Sequence, residues 1–209
     1  NTIWVGTKNG LNRYNPNTKN FDRFHYHQAD PNSLSNNHIT SIVEDSQGLL
    51  WIGTAGGGLN SYDRKLNRFN HFKHDKDSPN SLSDNIVRTI FVDSKGILWV
   101  GTQNGGLNKF DSNSGGFQHF KYNKSDPYSI SGDNITSIYE DSNEVLLVGT
   151  LSQGLNRFDR KQQRFTHLRH NTGDRYSLSS DTIMSIYEDN QGVLWLGSQG
   201  DAAARIGVL

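Results

Sequence analysis

Leu98-Trp99-Val100-Gly101-Thr102-Gln103-Asn104-Gly105-Gly106-Leu107-Asn108-Lys109-Phe110-Asp111 decides how this chain is read, because it does not occur only once. Its first phrase returns as Trp4-Val5-Gly6-Thr7, Trp51-Ile52-Gly53-Thr54, Leu147-Val148-Gly149-Thr150 and Trp195-Leu196-Gly197-Ser198, at steps of 47, 48, 48 and 48 residues. Its second phrase returns as Gly10-Leu11-Asn12-Arg13-Tyr14, Gly58-Leu59-Asn60-Ser61-Tyr62 and Gly154-Leu155-Asn156-Arg157-Phe158. An aromatic pair follows each copy: Phe21/Phe24, Phe69/Phe72, Phe117/Phe120 and, with one substitution, Phe165/Leu168. Such register marks stacked units, each too small to bury both of its faces alone.

Working outward, every unit reads as four short strands. The first is Ile-x-Ser/Thr-Ile, as in Ile135-Thr136-Ser137-Ile138-Tyr139. The Leu-Trp-Val-Gly, Leu-Asn-Arg-Phe and Phe-x-His-Phe segments supply the other three. Aromatic and β-branched residues alternate with polar ones, and turn residues separate the runs. Asp45-Ser46-Gln47-Gly48 and Asp189-Asn190-Gln191-Gly192 read as tight hairpins in which glycine supplies a positive φ. Connectors of the type Asp30-Pro31-Asn32-Ser33-Leu34-Ser35 lead into the next unit. Four antiparallel strands per 48-residue repeat predict an all-β fold, a β-propeller of four to five blades with incomplete terminal ones. The predicted boundaries are a partial blade over 1–26, blades over 39–74, 86–122 and 135–170, and a partial blade over 183–209. The Trp, Leu and Phe positions are then core between blades. The 201–207 segment aligns as a weak third strand with Ile206 in the Phe position. Because the chain opens inside the motif, it is expected to be a piece of a longer propeller, closing imperfectly or with another copy.

Composition narrows the function. Among 209 residues, 21 Lys+Arg balance 21 Asp+Glu, so no whole-chain basic field exists for nucleic acid or an anionic membrane. Aromatics at 11% indicate a folded chain despite only 33% hydrophobic residues. The absence of cysteine excludes disulfides, thiolate zinc sites and thiol catalysis. No apolar run approaches the ~18–20 residues of a membrane span, and no signal-peptide pattern opens the chain.

The Leu98–Asp111 phrase, the connector Asp126-Pro127-Tyr128-Ser129-Ile130-Ser131 and the strand Ile183-Met184-Ser185-Ile186-Tyr187-Glu188-Asp189 together closely resemble the two-component regulator propeller repeat. The resemblance covers residues 1–198. It implies a periplasmic, extracytoplasmic sensor propeller of a bacterial inner-membrane signalling protein, often a hybrid histidine kinase. In some members it implies sensing of oligosaccharides. Membrane attachment and signalling output would then lie in other parts of such a protein. The motif is structural and transfers no catalytic residue. Leu147 for Trp, Glu144 for the turn Gly, Val92 for Glu and Gln153 for Gly depart from it.

No catalytic or metal residue and no cofactor is implied. His71, His119 and His167 recur one blade apart on the outer strand, too far apart to converge on one ion. Glu44, Glu140 and Glu188 either meet near the axis or face solvent beside the turn-fixing Asp45, Asp141 and Asp189. The basic pairs Arg64-Lys65 and Arg160-Lys161 read as solvated turns. The strand two–three loops vary within constant flanks, and with the connectors they are expected to share one face, where loops on a rigid frame bind ligands. Lys8, Asn9, Gln103, Asn104, Leu151, Ser152, Tyr128 and Tyr176 are therefore the candidate binding residues for a small molecule or oligosaccharide, with the tyrosines stacking on a pyranose ring. The main expectation is a non-enzymatic recognition module. The alternatives are a structural or dimerisation propeller, with homo-oligomerisation completing the ring, and a metal-dependent lyase-like propeller enzyme.

Overall fold

The computed structural model of the chain describes residues 2–199 and the backbone of 204–206, with no helix among them. The described residues form eighteen strands in five antiparallel sheets. The first holds β1 (Trp4–Thr7), β2 (Gly10–Asn15) and β3 (Asn20–Phe24). The second holds β4 (Ile39–Glu44), β5 (Leu50–Thr54), β6 (Leu59–Asp63) and β7 (Arg68–Phe72); the third holds β8 (Val87–Val92), β9 (Leu98–Thr102), β10 (Leu107–Asp111) and β11 (Gly116–Phe120). The fourth holds β12 (Ile135–Glu140), β13 (Leu146–Thr150), β14 (Leu155–Asp159) and β15 (Arg164–Leu168); the fifth holds β16 (Ile183–Glu188), β17 (Leu194–Ser198) and β18 (Ala204–Ile206). In every four-stranded sheet spatial order follows chain order. This is the propeller blade the repeat predicts. β18 pairs with β17 so that Ile206 faces Leu194, the register in which Phe158 faces Leu146. The terminal strand one therefore builds its own sheet and does not complete the first one.

The first strands β4, β8, β12 and β16 pack against one another in succession, so strand one is innermost. Four apolar cores lie between the five sheets. In the first three, an aromatic residue of one sheet meets an aromatic of the next: Trp4 with Tyr62, Trp51 with Phe110 and Trp99 with Phe158, at centroid distances of 5.6, 5.2 and 5.5 Å. Edge-on pairs of this kind add to plain area burial. Trp99, enclosed between sheets, is 1% exposed, whereas Trp195, on the last of the described sheets, is 38% exposed. Gly101 shows why the second strand carries a glycine. A Cβ there would stand 2.6 Å from Ile135 Cγ2 of the neighbouring sheet.

The polar part of the motif is structural. Asn60 and Asn156 are fully buried, and each accepts the backbone N–H of Ser35 or Ser131 while donating to that serine's Oγ. Thr54, Thr102 and Thr150 close the strand two–three loops by donating to the carbonyls of Gly58, Gly106 and Gly154. The outer histidines clip the connectors, with Nε2 of His71, His119 and His167 on the carbonyls of Ser33, Ser81 and Ser129 at 2.7–2.8 Å.

Two sequence expectations are corrected on the hairpin face. The recurring glutamates form no shared acidic cluster among the described residues, and although the Glu44 side chain faces solvent as expected, the Glu140 side chain is buried and all three are held by partners. Glu44 pairs with Arg64, Glu140 with Arg160 at 2.6 Å, and Glu188 accepts from Ser142 N–H and Oγ–H. Nor is Arg160 a solvated turn residue. Its side chain is 19% exposed and bridges Glu140 in its own sheet to Asp93 in the preceding one, 2.7 Å away. Burial works to raise the Asp93 carboxyl, but hydrogen bonds from the Trp99 indole and the Arg160 guanidinium outweigh it and hold the group below its ordinary range.

Candidate ligand-binding face

The strand two–three loops and the inner ends of the connectors do share one face, because backbone hydrogen bonds join them. Ala55 N–H donates to His38 O and Gly56 N–H to Asn85 O; Gln103 N–H donates to Ile86 O and Gly106 N–H to Asp133 O; Leu151 N–H donates to Asn134 O. Each loop is thus tied to the connector before it and the connector after it. The frame is rigid, and the side chains that project from it are free to differ.

A cavity of about 250 Å³ opens on this face at the fourth sheet. Leu151 and Ser152 line it, together with Gln153, Tyr122, Asp133 and Asn134. Gln103 and Asn104 stand on the neighbouring loop, where the Gln103 Oε1 accepts from Arg88 Nη2 at 3.2 Å and Asn104 N–H donates to Asp84 at 2.9 Å. Lys8 and Asn9 occupy the equivalent loop of the first sheet, two sheets further round. Tyr128 lies elsewhere. A connector runs from the outer strand of one sheet to the inner strand of the next, and Tyr128 sits at its outer end. Its carbonyl accepts from Phe165 N–H on β15, and its ring lies 4.6 Å beneath the Arg164 guanidinium. Tyr176 holds the same position in the last connector and is 86% exposed, beside Arg175. The aromatic that borders the cavity is Tyr122.

Two further residues belong to this face. Arg88 is the second residue of the inner strand β8, and Asn134 immediately precedes β12. Arg88 Nε and Asn134 Oδ1 are buried without a hydrogen-bond partner. Unsatisfied buried polar atoms cost about 1–3 kcal/mol each, so two of them on one face of adjacent sheets need a reason. Arg88 has a sequence signal, since Val87-Arg88-Thr89-Ile90 places a cation where the other copies carry Thr40, Thr136 and Met184. Asn134 has none beyond falling at a variable connector position. No group of three or more His, Cys, Asp or Glu arranged to hold a metal ion lies among the described residues.

With the geometry in place, comparison with known proteins gives it a family. The two-component regulator propeller family model matches residues 33–56, 81–104, 129–152 and 177–200. Each match runs from a connector through strand one and its hairpin into the strand two–three loop. A search of curated protein sequences finds no match. Among solved structures, the chain is similar to the extracellular domain of the putative hybrid two-component system BT4673 of B. thetaiotaomicron: 26% identity, TM-score 0.76, covering 94% of this chain and 25% of that one. It is also similar to the extracellular domain of the putative hybrid two-component system BT3049 of the same organism, at 21% identity and TM-score 0.57, covering 97% of this chain and 38% of that one. Virginiamycin B lyase of Staphylococcus aureus shares the fold, at 15% identity and TM-score 0.71, covering 99% of this chain and 63% of that one. The chain thus spans about a quarter of the length of the BT4673 domain. Four matched repeats, in register with the sheets that the structure shows, make this chain a member of the two-component regulator propeller family.

Proposed function

We propose that this propeller is a non-enzymatic recognition module, the sensor propeller or part of it in a bacterial two-component signalling protein, working outside the cytoplasm and in the periplasm. Its ligand is a hydroxyl-rich molecule, an oligosaccharide, held on the loop face of the third and fourth sheets. The observation that carries this reading is the pair of unpartnered buried atoms, Arg88 Nε, a donor on the side chain that holds Gln103, and Asn134 Oδ1, an acceptor on a residue lining the cavity of the Leu151–Gln153 loop. Sugar hydroxyls both donate and accept, so one ligand class satisfies both atoms. The Gln103 amide and the exposed Tyr122 ring add a hydrogen-bonding group and a stacking surface. The family and the likeness to extracellular sensor domains support the sensor role.

The test is a thermal-shift screen against plant and microbial oligosaccharides. A true ligand at a hundredfold excess over its Kd adds about 2.7 kcal/mol of stability. Arg88→Ala and Asn134→Ala abolish that gain, Gln103→Ala and Asn104→Ala reduce it, and Tyr128→Ala, at the outer rim, leaves it unchanged. A cooperatively folded protein that no glycan stabilises refutes the reading. A second reading, self-association through the last sheet, is favoured by Met184, Tyr187 and Trp195, large apolar side chains exposed on β16 and β17. The oligomeric state in solution, compared with that of Tyr187→Glu, decides it.

A further inference from the structure

The hairpin face holds two junctions with matching aromatic pairs that differ in their charged residues. Between the third and fourth sheets, the Arg160 guanidinium is gripped from three sides. Asp93 and Glu140 accept its Nη atoms, and the Glu144 carbonyl accepts its Nε at 3.3 Å. The Trp99 ring lies 6.0 Å away. One repeat earlier, between the second and third sheets, every element of that cradle recurs except the arginine and its own-sheet glutamate. Asp45 stands where Asp93 does, Trp51 where Trp99 does, Gly96 where Glu144 does and Phe110 where Phe158 does, but Ser112 replaces Arg160 and Val92 replaces Glu140. A groove of about 340 Å³ opens there, lined by Asp45, Trp51, Lys95, Gly96, Phe110 and Ser112.

The acceptors in this groove are oriented. Asp45 Oδ1 takes the N–H groups of Gln47 and Leu49, which fixes the carboxylate in the hairpin turn. Asp45 Oδ2 takes the Trp51 indole N–H at 2.9 Å. At the sister site the corresponding oxygen, Asp93 Oδ2, takes both the Trp99 indole N–H, at 2.8 Å, and Arg160 Nη1. Lys95, the cationic side chain that lines the groove, reaches away to Glu144 at 3.0 Å. The groove therefore keeps a carboxylate oxygen with spare capacity, beside a tryptophan face and a carbonyl, in the arrangement that holds a guanidinium one repeat later.

We propose that the groove between the second and third sheets binds a guanidinium group, the arginine-type head of a ligand or partner, in the place that Arg160 fills one repeat on. A planar fork matches the carboxylate-plus-carbonyl edge and stacks on the indole, which a compact ammonium does less well. The site lies on the opposite face from the proposed glycan site and does not depend on it.

The Trp51 indole N–H, already bonded to Asp45 Oδ2, is the reporter. Titrating the protein with agmatine and with a blocked arginine peptide, followed by NMR, shifts the Trp51 indole resonance and leaves those of Trp4, Trp99 and Trp195 in place. Butylamine and a blocked lysine peptide give smaller shifts. Asp45→Asn weakens agmatine binding by ~10-fold or more. Because Asp45 also shapes its turn, Ser112→Arg supplies the independent check: it leaves Asp45 intact, fills the groove from within and abolishes the response. Equal affinity for agmatine and the peptide assigns the site to free guanidino compounds, and tighter peptide binding assigns it to an arginine of a partner polypeptide; both support the proposal. No Trp51 shift at saturating agmatine overturns it. So does a shift that Ser112→Arg leaves unchanged.

Discussion

The second and third sheets meet much as the third and fourth do, with Trp51 on Phe110 and Trp99 on Phe158 at almost the same distance, yet only the latter junction is clamped by charge. Ser112 and Val92 have lost the arginine and the glutamate together. A propeller junction is therefore two separable layers. The apolar layer is common to both and holds the sheets in register. The ionic layer is an addition on the hairpin face, and where it buries Glu140 and Asp93 it supplies their cation, because a buried carboxylate without one is costly. The second–third junction drops both members of the own-sheet pair and keeps Asp45, whose oxygens are held by the N–H groups of Gln47 and Leu49 and by the Trp51 indole.

Removing the clamp where it exists gives the largest effect. Arg160→Met leaves Glu140, 7% exposed, and the fully buried Asp93 side chain without their cation, and is expected to cost about 3–5 kcal/mol in denaturant unfolding. Ser112→Ala at the equivalent position changes stability by no more than about 0.5 kcal/mol. Equal losses at the two positions would erase the distinction between the junctions.

Building the clamp where it is missing is the next test. Ser112→Arg and Val92→Glu restore the pair, with Asp45 already in place to complete it. The double variant is expected to exceed the sum of the singles by about 0.5–3 kcal/mol of coupling. Strict additivity in the double-mutant cycle would show that the two side chains do not meet there.

How much of this was legible follows from distance along the chain. The blades, their order and the core aromatics follow from local alternation and a strict period. The constant glycines and threonines mark the strand two–three loops for the same reason. The clamp was hidden because Arg160 reaches Glu140 across its own sheet and Asp93 across a junction, and neither contact leaves a local pattern. Tyr128 falls outside the loop face because its connector is not one surface: it spans from the outer rim, at Phe165, to the inner strand. Arg88 was visible as a break in the frame of strand one, but only burial of its Nε gives that break a meaning.

Acid sharpens the comparison further. The Asp93 carboxyl sits below its ordinary value of 3.8, so its share of stability is fully present above that value and is lost as pH falls through the lowered native one. Asp93→Asn is expected to be less stable than the parent at neutral pH and to lose less on acidification. Parallel stability–pH curves for the two proteins would exclude Asp93 from the acid limb.

The smallest expected effect comes from the clamp's own turn. Gly48, Gly96 and Gly192 take φ of 79°, 75° and 75° in the hairpins between strands one and two, and Glu144 is forced to 61° at the same place in the fourth sheet. A side chain there pays a steric cost of about 1–2 kcal/mol that glycine avoids. The Lys95–Glu144 pair offsets little of it, because both side chains are more than half exposed. The backbone carbonyl that accepts Arg160 Nε survives the change. Glycine's freedom in the unfolded chain takes back part of the gain. Glu144→Gly is therefore expected to stabilise the protein by about 0.5–1 kcal/mol, a rise of ~1–4 °C in Tm for a chain of this size. A drop in Tm would mean that the charge on Glu144, and not only its carbonyl, helps to hold the clamped junction together.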